Sequence, residues 1–218
     1  MKVSSLRETV KFLKKQGELV QISQAVDPHL EMAEITRQVH DAKGPALLFT
    51  NIKNCQGIKS EFPALSNLFG TYERTLKIFE PQLDQVRSLV ELRSDPGAFL
   101  RSPKKSVGAL KALVHALPIR SATAQVLKHQ TTIDRLPMIK CWPDDGGAFI
   151  LLPQVFSKDP EIDSIFKSNL GMYRIQISGN DYEPNQEIGL HYQLHRGIGN
   201  HHKKALEQRN PLKVSVFI

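Results

Sequence analysis

Two runs of alternating residues, separated by a turn signal, constrain this chain more than anything else in it. Met172 to Ser178 sets Tyr173, Ile175 and Ile177 against Met172, Arg174, Gln176 and Ser178, the period of two that a half-buried strand requires. Gly179-Asn180-Asp181 then marks a turn. A second run from Gly189 to Arg196 repeats the pattern, with His191, Gln193 and His195 on one face and Leu190, Tyr192 and Leu194 on the other. The pair predicts a long-looped hairpin. One of its surfaces would carry an Arg, two Gln and two His, and such groups are costly to bury unless each meets a partner, a ligand or a metal.

The segments around this hairpin also read as β-rich. Leu136-Pro137 to Trp142-Pro143 predicts an edge strand or extended segment, because each proline removes a ladder donor. Asp144-Asp145-Gly146-Gly147 is a turn. It is either a solvated hairpin turn or a pair of carboxylates set beside a pliable backbone near a ligand. Ala148 to Phe156 predicts a strand interrupted by Pro153, and Leu212 to Ile218 a further strand.

The first part of the chain has a different rhythm. Ser5-x-x-Glu8 is a capping box, and Leu6, Val10 and Leu13 recur at helical spacing before Gly17. Glu18 to Ile22 predicts a short strand. Asp27-Pro28 predicts the start of a second helix that buries Met32, Ile35 and Val39, and Ala46 to Ile52 a buried strand. Residues 62–116 read as mostly helical, with Thr71 capping Tyr72 to Phe79 and a further helix over Gln82 to Leu92. Loop compositions follow at Ser94-Asp95-Pro96-Gly97 and Arg101-Ser102-Pro103-Lys104-Lys105. No Gly-rich phosphate loop joins these strands and helices, so a dinucleotide-binding domain is not supported. The periodicity shifts toward two after Lys128, which predicts a boundary near residue 120: an N-terminal α/β domain with a helical connection over 1–120, and a β-rich domain over 121–218.

At the residue level the segments LPMIKCWPDDGGAFILLPQVF (Leu136 to Phe156), NLGMYR (Asn169 to Arg174) and HYQLHRGIGNHH (His191 to His202) occur in a fixed order. In that order they resemble the UbiD family of decarboxylases. The similarity runs from about residue 5 onward and includes Asn67-Leu68-Phe69-Gly70. It implies an α+β protein in which the α/β domain is followed by an FMN-binding-type split β-barrel. The implied activity is that of a carboxy-lyase using prenylated FMN to remove CO2 from an aromatic or unsaturated acid, such as a 4-hydroxybenzoate of a ubiquinone or menaquinone route. The resemblance also implies a continuation beyond Ile218 that carries a third metal ligand, a Glu, and the acidic residues that deliver the proton. On that reading the barrel in 1–218 is incomplete and the isolated chain is inactive. Ending inside a strand would expose hydrogen-bonding edges and favour poor solubility or oligomerisation.

By motif position, the resemblance makes Asn169 and His195 the metal ligands. An Asn oxygen, a His nitrogen and the distal Glu would hold Mn2+ or Mg2+, with K+ a further candidate, and mixed O/N ligation suits those hard ions better than zinc. Read from spacing alone, a capping Asn and a hydrogen-bonded core His are the favoured reading. Arg174 matches the Arg of the family's catalytic network, and a guanidinium suits the work because it grips a carboxylate with two parallel hydrogen bonds. Met172, Tyr173, Arg174, His191, Tyr192, Gln193, Arg196 and Gly197 are the implied cofactor contacts. Arg196-Gly197 joins a cation to a backbone that can approach a phosphate closely. His191-x-x-x-His195 also has the spacing of a zinc pair on a helix, but the alternation around it and the absence of a Glu after His191 argue for a strand.

Charge leaves two other classes to weigh. The chain carries 29 Lys+Arg against 22 Asp+Glu, a net +7, which favours anionic partners. Its basic residues are scattered, however, and no RNP-like or zinc-finger pattern occurs, so a nucleic-acid binder is the weaker alternative. A non-catalytic flavin-binding, phosphate-binding or assembly module is the other. No apolar run approaches the roughly 20 residues of a membrane span. Cys55 and Cys141 lie far apart without metal-type spacing, which suits a reducing compartment. The expectation is a cytoplasmic protein, peripheral to a membrane if its substrate is prenylated. Its partners would be a flavin prenyltransferase supplying the cofactor and either further copies of itself or a C-terminal half.

Overall fold

The computed structural model describes residues 5–54, 57–95, 107, 108, 110, 112–114, 117, 121 and 123–218. Cys55 and the loops expected at Pro96-Gly97 and Arg101–Lys105 lie outside the described residues. In chain order the elements are α1 (Leu6–Lys15), β1 (Leu19–Ile22), α2 (Glu31–Asp41), β2 (Ala46–Phe49), β3 (Ala64–Ser66), α3 (Tyr72–Ser94), β4 (Phe149–Ile150), β5 (Gln154–Ser157), β6 (Asn169–Met172), β7 (Ile175–Gln176), β8 (Gly189–Leu190), α4 (Gly197–Glu207) and β9 (Val214–Phe217).

Local chemistry explains where the early helices begin. The Glu8 N–H donates to Ser5 Oγ at 3.3 Å, and Lys14 and Lys15 complement the carbonyl end of α1. The second helix starts later than Asp27-Pro28 predicts. Asp27 accepts the His29 N–H at 2.8 Å while its own N–H donates to Glu31 Oε2 at 2.6 Å, and Leu30 adopts a φ of 69°. That capping chemistry closes a turn ahead of the helix. At α3, Thr71 Oγ1 accepts the Arg74 N–H at 3.2 Å. The helix then continues through position 81, joining the two helices expected separately; a proline forfeits one main-chain bond, and the turns on either side carry on.

The chain divides into two compact units. The first comprises Met1–Ile22, Thr36–Leu48 and Leu65–Ser121; the second comprises Ser23–Ile35, Phe49–Ala64 and Ala122–Ile218. Two segments from the first third of the sequence therefore join the β-rich part. The first unit packs Leu13, Ala46 and Ile78 together with Phe12, Leu19 and Leu68. It also contains a fully buried arginine, Arg74, whose guanidinium donates to the carbonyls of Leu68 and Gly44 and faces Glu18.

The second unit holds two three-stranded sheets, β4-β7-β8 and β6-β5-β9. All described pairings within them are antiparallel: Ile175 opposes both Ile150 and Leu190, Ser157 opposes both Asn169 and Val214. Buried Pro153 separates β4 from β5, so the chain changes sheets there. Pro137 and Lys140 make isolated bridges only, to Asn54 and His29, and Trp142-Pro143 already belongs to the following turn. Ala148, Val155, Ile175, Ile177 and Ile198 form the core, backed by Tyr173, Leu190, Tyr192 and Leu212.

The α+β class thus holds. The barrel does not: among the described residues, two separate three-stranded sheets stand where the resemblance implied part of a split barrel. The reason lies in strand length, since β4, β7 and β8 are two residues each and a closed wall needs longer ladders. No helix among the described residues is long and apolar enough to cross a membrane.

Candidate functional site

The predicted hairpin exists in shortened form. Ile175 and Gln176 pair with Leu190 and Gly189, and the His191 N–H donates to the Arg174 carbonyl at 3.0 Å. Gly179, Asn180 and Asp181 all take positive φ, giving the turn its sequence predicts. Ile175 and Ile177 face the core and His191, Gln193 and His195 face outward. Two details differ from the alternation. Gln176 is buried instead of lining the polar surface, with Nε2 donating to the Ser178 carbonyl at 2.9 Å and Oε1 accepting from Asn180 at 3.1 Å. The second strand stops at Leu190, so Leu194 turns out to solvent at 81% exposure and His195 sits in a turn. Since 191–195 is not helical, the two imidazoles lack the one-face stacking of a helical zinc pair.

Asn169 lies inside β6, at the end of the ladder with Ser157, rather than before the strand. Its Nδ2 donates to the Tyr173 hydroxyl at 3.1 Å. Its carboxamide oxygen lies against Gly197, where an added Cβ would come within 2.3 Å. Glycine is required there for that approach. Gly197 opens α4 two positions after His195, so the fold brings Asn169 beside the backbone that bears the other expected ligand. The residue before the helix, Arg196, gives no side-chain cap, and its Nε donates to Gln193 Oε1 at 3.3 Å. The start of α4 therefore has no side-chain cap from Arg196, and a helix start of this kind suits an anion such as phosphate.

Arg174 stands at the crossover between β6 and β7. Its guanidinium carbon lies 3.5 Å from the centroid of the Phe149 ring, and Nη2 donates to Asp145 Oδ1 at 2.8 Å. The Asp145 side chain is 12% exposed and that of Arg174 39%. Arg174 Nε is buried and has no hydrogen-bond partner among the described residues. Phe149 in turn meets the His191 ring edge-on at 5.8 Å. Cys141 lies nearby: burial first, then the Asp145 charge, push its thiol up from the ordinary range, while Arg174 pulls the other way.

Met172 is exposed on the outer face of β6, whereas the Tyr192 side chain turns toward α4 and hydrogen-bonds His202 Nδ1. Three features escaped the sequence reading. Asp145 is the partner of Arg174, for which the double-Asp turn was the available signal. Phe149 supplies the ring beneath it. Ser157 and His201, both buried, share a hydrogen bond of 2.9 Å between Oγ and Nδ1, and adjacency of His201 to His202 gave no hint of it.

The donor set fits a divalent cation in part. Asn169 and His195 would be the O and N ligands by motif, yet the Asn169 carboxamide pairs with the Tyr173 hydroxyl and His195 is exposed in a turn, and no cluster of three His, Cys, Asp or Glu side chains that could hold a metal occurs among the described residues. A third ligand from elsewhere would be needed. A phosphate would find Arg196 and the start of α4, which no side chain caps.

Comparison with known proteins bears on the family and the fold. Residues 10–93 match the family model described as 3-octaprenyl-4-hydroxybenzoate carboxy-lyase N-terminal domain, and residues 117–218 match the 3-octaprenyl-4-hydroxybenzoate carboxy-lyase Rift-related domain. An uncharacterized protein of Chlamydia trachomatis is 38% identical over 98% of this chain, and a Chlamydia pneumoniae protein named as a subunit of 4-hydroxybenzoate decarboxylase is 36% identical over 99%. The chain spans 35% of the length of each. Among solved structures, vanillic acid decarboxylase of Sedimentibacter hydroxybenzoicus in its closed form superposes with a TM-score of 0.75 at 20% identity, over 100% of this chain and 43% of that one. An evolved dimeric form of HmfF from Pelotomaculum thermopropionicum, in complex with prFMN, gives 0.71 at 20% identity, over 99% and 44%.

Proposed function

The chain belongs to the UbiD family of carboxy-lyases, and from that premise we propose that it forms the N-terminal portion of a prenylated-FMN-dependent decarboxylase of aromatic or unsaturated acids. One observation carries the reading: Arg174, stacked on Phe149 and held by Asp145, shares a unit with Asn169, Gly197 and the uncapped start of α4. A cation suited to a carboxylate and a helix start suited to a phosphate fall in the same unit, which supports the reading.

When bound, a prenylated flavin supplies an electron sink for the bonding pair released as CO2 departs. The chain's own residues do the rest. Arg174 grips the substrate carboxylate and orients it. Arg196 and the α4 N–H groups would hold the cofactor phosphate, and Asn169 with His195 would supply two ligands to a Mn2+ or Mg2+ ion. Gln193, Met172, Tyr173 and His191 line the approach. Tyr192 acts from behind, through the hydrogen bond that ties it to His202. The proton for the product carbon comes from a carboxylic acid supplied by a further portion of the protein. A 4-hydroxybenzoate-type acid of a quinone route, acted on in the cytoplasm, is the substrate class we favour, with a flavin prenyltransferase as the source of the cofactor.

The test uses protein made in cells that also express a flavin prenyltransferase. Carboxyl-labelled 4-hydroxybenzoate should lose labelled CO2 when residues 1–218 are continued by the rest of a family member, and should not with 1–218 alone. Purified protein that shows no flavin absorbance and releases no label in either form would overturn the proposal. Flavin absorbance with no turnover in the continued form would favour the binding-module reading instead.

A further inference from the structure

The contact between Arg174 and Asp145 has the form of a holder rather than a surface ion pair. Exposed pairs contribute little and wander. Here the carboxylate is nearly enclosed, and its other oxygen, Oδ2, accepts the Trp142 N–H at 3.3 Å. The Asp145 N–H returns to the Trp142 carbonyl at 3.1 Å, closing the turn. That turn cannot retreat from the β7 side. A Cβ on Gly147 would fall 2.0 Å from the Ser178 carbonyl oxygen, and one on Gly179 would fall 1.8 Å from that of Gly146. Glycines therefore let two stretches of backbone touch, and the Ala148 N–H donates to Ser178 Oγ at 2.9 Å to seal the contact.

Arg174 is thereby bounded on three sides. Phe149 lies beneath the guanidinium plane, Asp145 takes Nη2, and Nε is shut away from solvent. The Arg174 side chain is still 39% exposed, and Asp145 takes one hydrogen of Nη2. We propose that Asp145 is a positioning residue, fixing the Arg174 guanidinium over Phe149 so that its free terminal edge is presented to an incoming carboxylate. This rests on the reading of Arg174 as the acid-binding group. It also has a cost built in: an acid joining an already neutralised pair meets the Asp145 charge, so Asp145 gives up some affinity in return for geometry.

Two substitutions separate the roles. Asp145→Asn keeps an acceptor for Nη2 and removes the charge, whereas Asp145→Ala removes both. Benzoate is the probe, read through the emission of Trp142, the chain's one tryptophan. Binding should tighten about threefold or more in Asp145→Asn and weaken by about tenfold in Asp145→Ala, whose guanidinium is no longer held. The second readout is alkylation of Cys141 by iodoacetamide across pH, followed by peptide mass spectrometry so that Cys55 is scored apart. Both variants remove a charge that disfavours the thiolate, but only Asp145→Asn keeps Arg174 beside it, so its thiol should react faster than that of Asp145→Ala.

If Asp145→Ala does not fold, Asp145→Glu replaces it; the longer side chain keeps the charge, displaces the guanidinium and should weaken benzoate binding. Identical thiol profiles and identical benzoate affinities in Asp145→Asn and Asp145→Ala would overturn the proposal. Absence of benzoate binding in every form, with the thiol order as expected, leaves Asp145 as the holder of Arg174 and removes the acid from the function proposed above.

Discussion

Replacing Arg74 with methionine should destabilise the first unit by about 3 kcal/mol. The figure follows from the bonds that vanish. Arg74 Nε donates to the Leu68 carbonyl at 3.1 Å, Nη1 and Nη2 donate to Gly44 at 3.0 and 3.1 Å, and Nη1 lies 3.5 Å from Glu18 Oε2. Each charge-assisted bond contributes about 1.5–3 kcal/mol net. Not all of that is lost, because Asn67 Nδ2 still donates to the Gly44 carbonyl at 3.2 Å and Lys77 still meets Glu18 at 3.0 Å. The Leu68 carbonyl keeps no such substitute among its described hydrogen bonds, and methionine recovers some apolar contact. Removing one member of a buried ionic network typically costs about 3–5 kcal/mol, so the lower end of that range is expected. Urea unfolding followed by circular dichroism at helix wavelengths is the assay. With a slope of about 1–3 kcal/mol per molar urea, the midpoint should fall by about 1–3 M. Arg74→Lys should recover little, since an ammonium cannot reach carbonyls on two sides at once. A midpoint shift below about 0.3 M for Arg74→Met would mean that burial of the guanidinium offsets its bonds, and would refute the reasoning.

Arg174→Lys in the continued, cofactor-loaded protein should lower kcat/KM by about 30- to 100-fold, the loss of a two-point carboxylate contact; a change of less than threefold would count against Arg174. Gly197→Ala should push the Asn169 carboxamide aside, because the new Cβ would lie 2.3 Å from its oxygen, and Mn2+ binding followed by electron paramagnetic resonance should weaken about tenfold or more. In the β5–β6 connection, the hydrogen bond from Lys204 holds the Asp159 carboxyl below the usual carboxylate range, while Glu161 first and then Asp159 raise the Lys204 ammonium. Stability from Asp159 is therefore present above its unfolded value of about 3.9 and lost as pH falls through its lower folded one. That from Lys204 is present below about 10.4 and lost as pH rises through its higher folded value. Melting curves of Lys204→Met should show a shallower loss of stability in acid than the parent; an unchanged acid limb would refute the assignment.

How far the sequence could be read depended on whether an interaction was local. Caps and turns were legible because each is written in a few neighbouring residues: Ser5 with Glu8, Thr71 ahead of Arg74, Gly179 to Asp181. Alternation placed Ile175 and Ile177 inward but missed the burial of Gln176 and the lengths of β7 and β8, because pairing with Asn180 and Ser178 and the turn at His195 are set by contacts that the pattern does not carry. The same limit governed the site. Motif order singled out Asn169, Arg174 and His195, while their surroundings came from afar: Asp145 lies in another turn, Phe149 in another strand, and Gly197 at the start of a helix. Arg74 was the least visible of all, because its acceptors are main-chain carbonyls, which carry no residue signature.

The crossover between β6 and β7 has one more effect. Asn169 rides with β5 and β9, whereas Arg174 is followed at once by a strand that belongs with β4 and β8. The two ends of a bound molecule would thus be gripped from separate sheets joined by a short peptide link. Val155 of one sheet and Ile175 of the other pack into a single core, so the spacing between those grips is set by buried side chains that touch neither end.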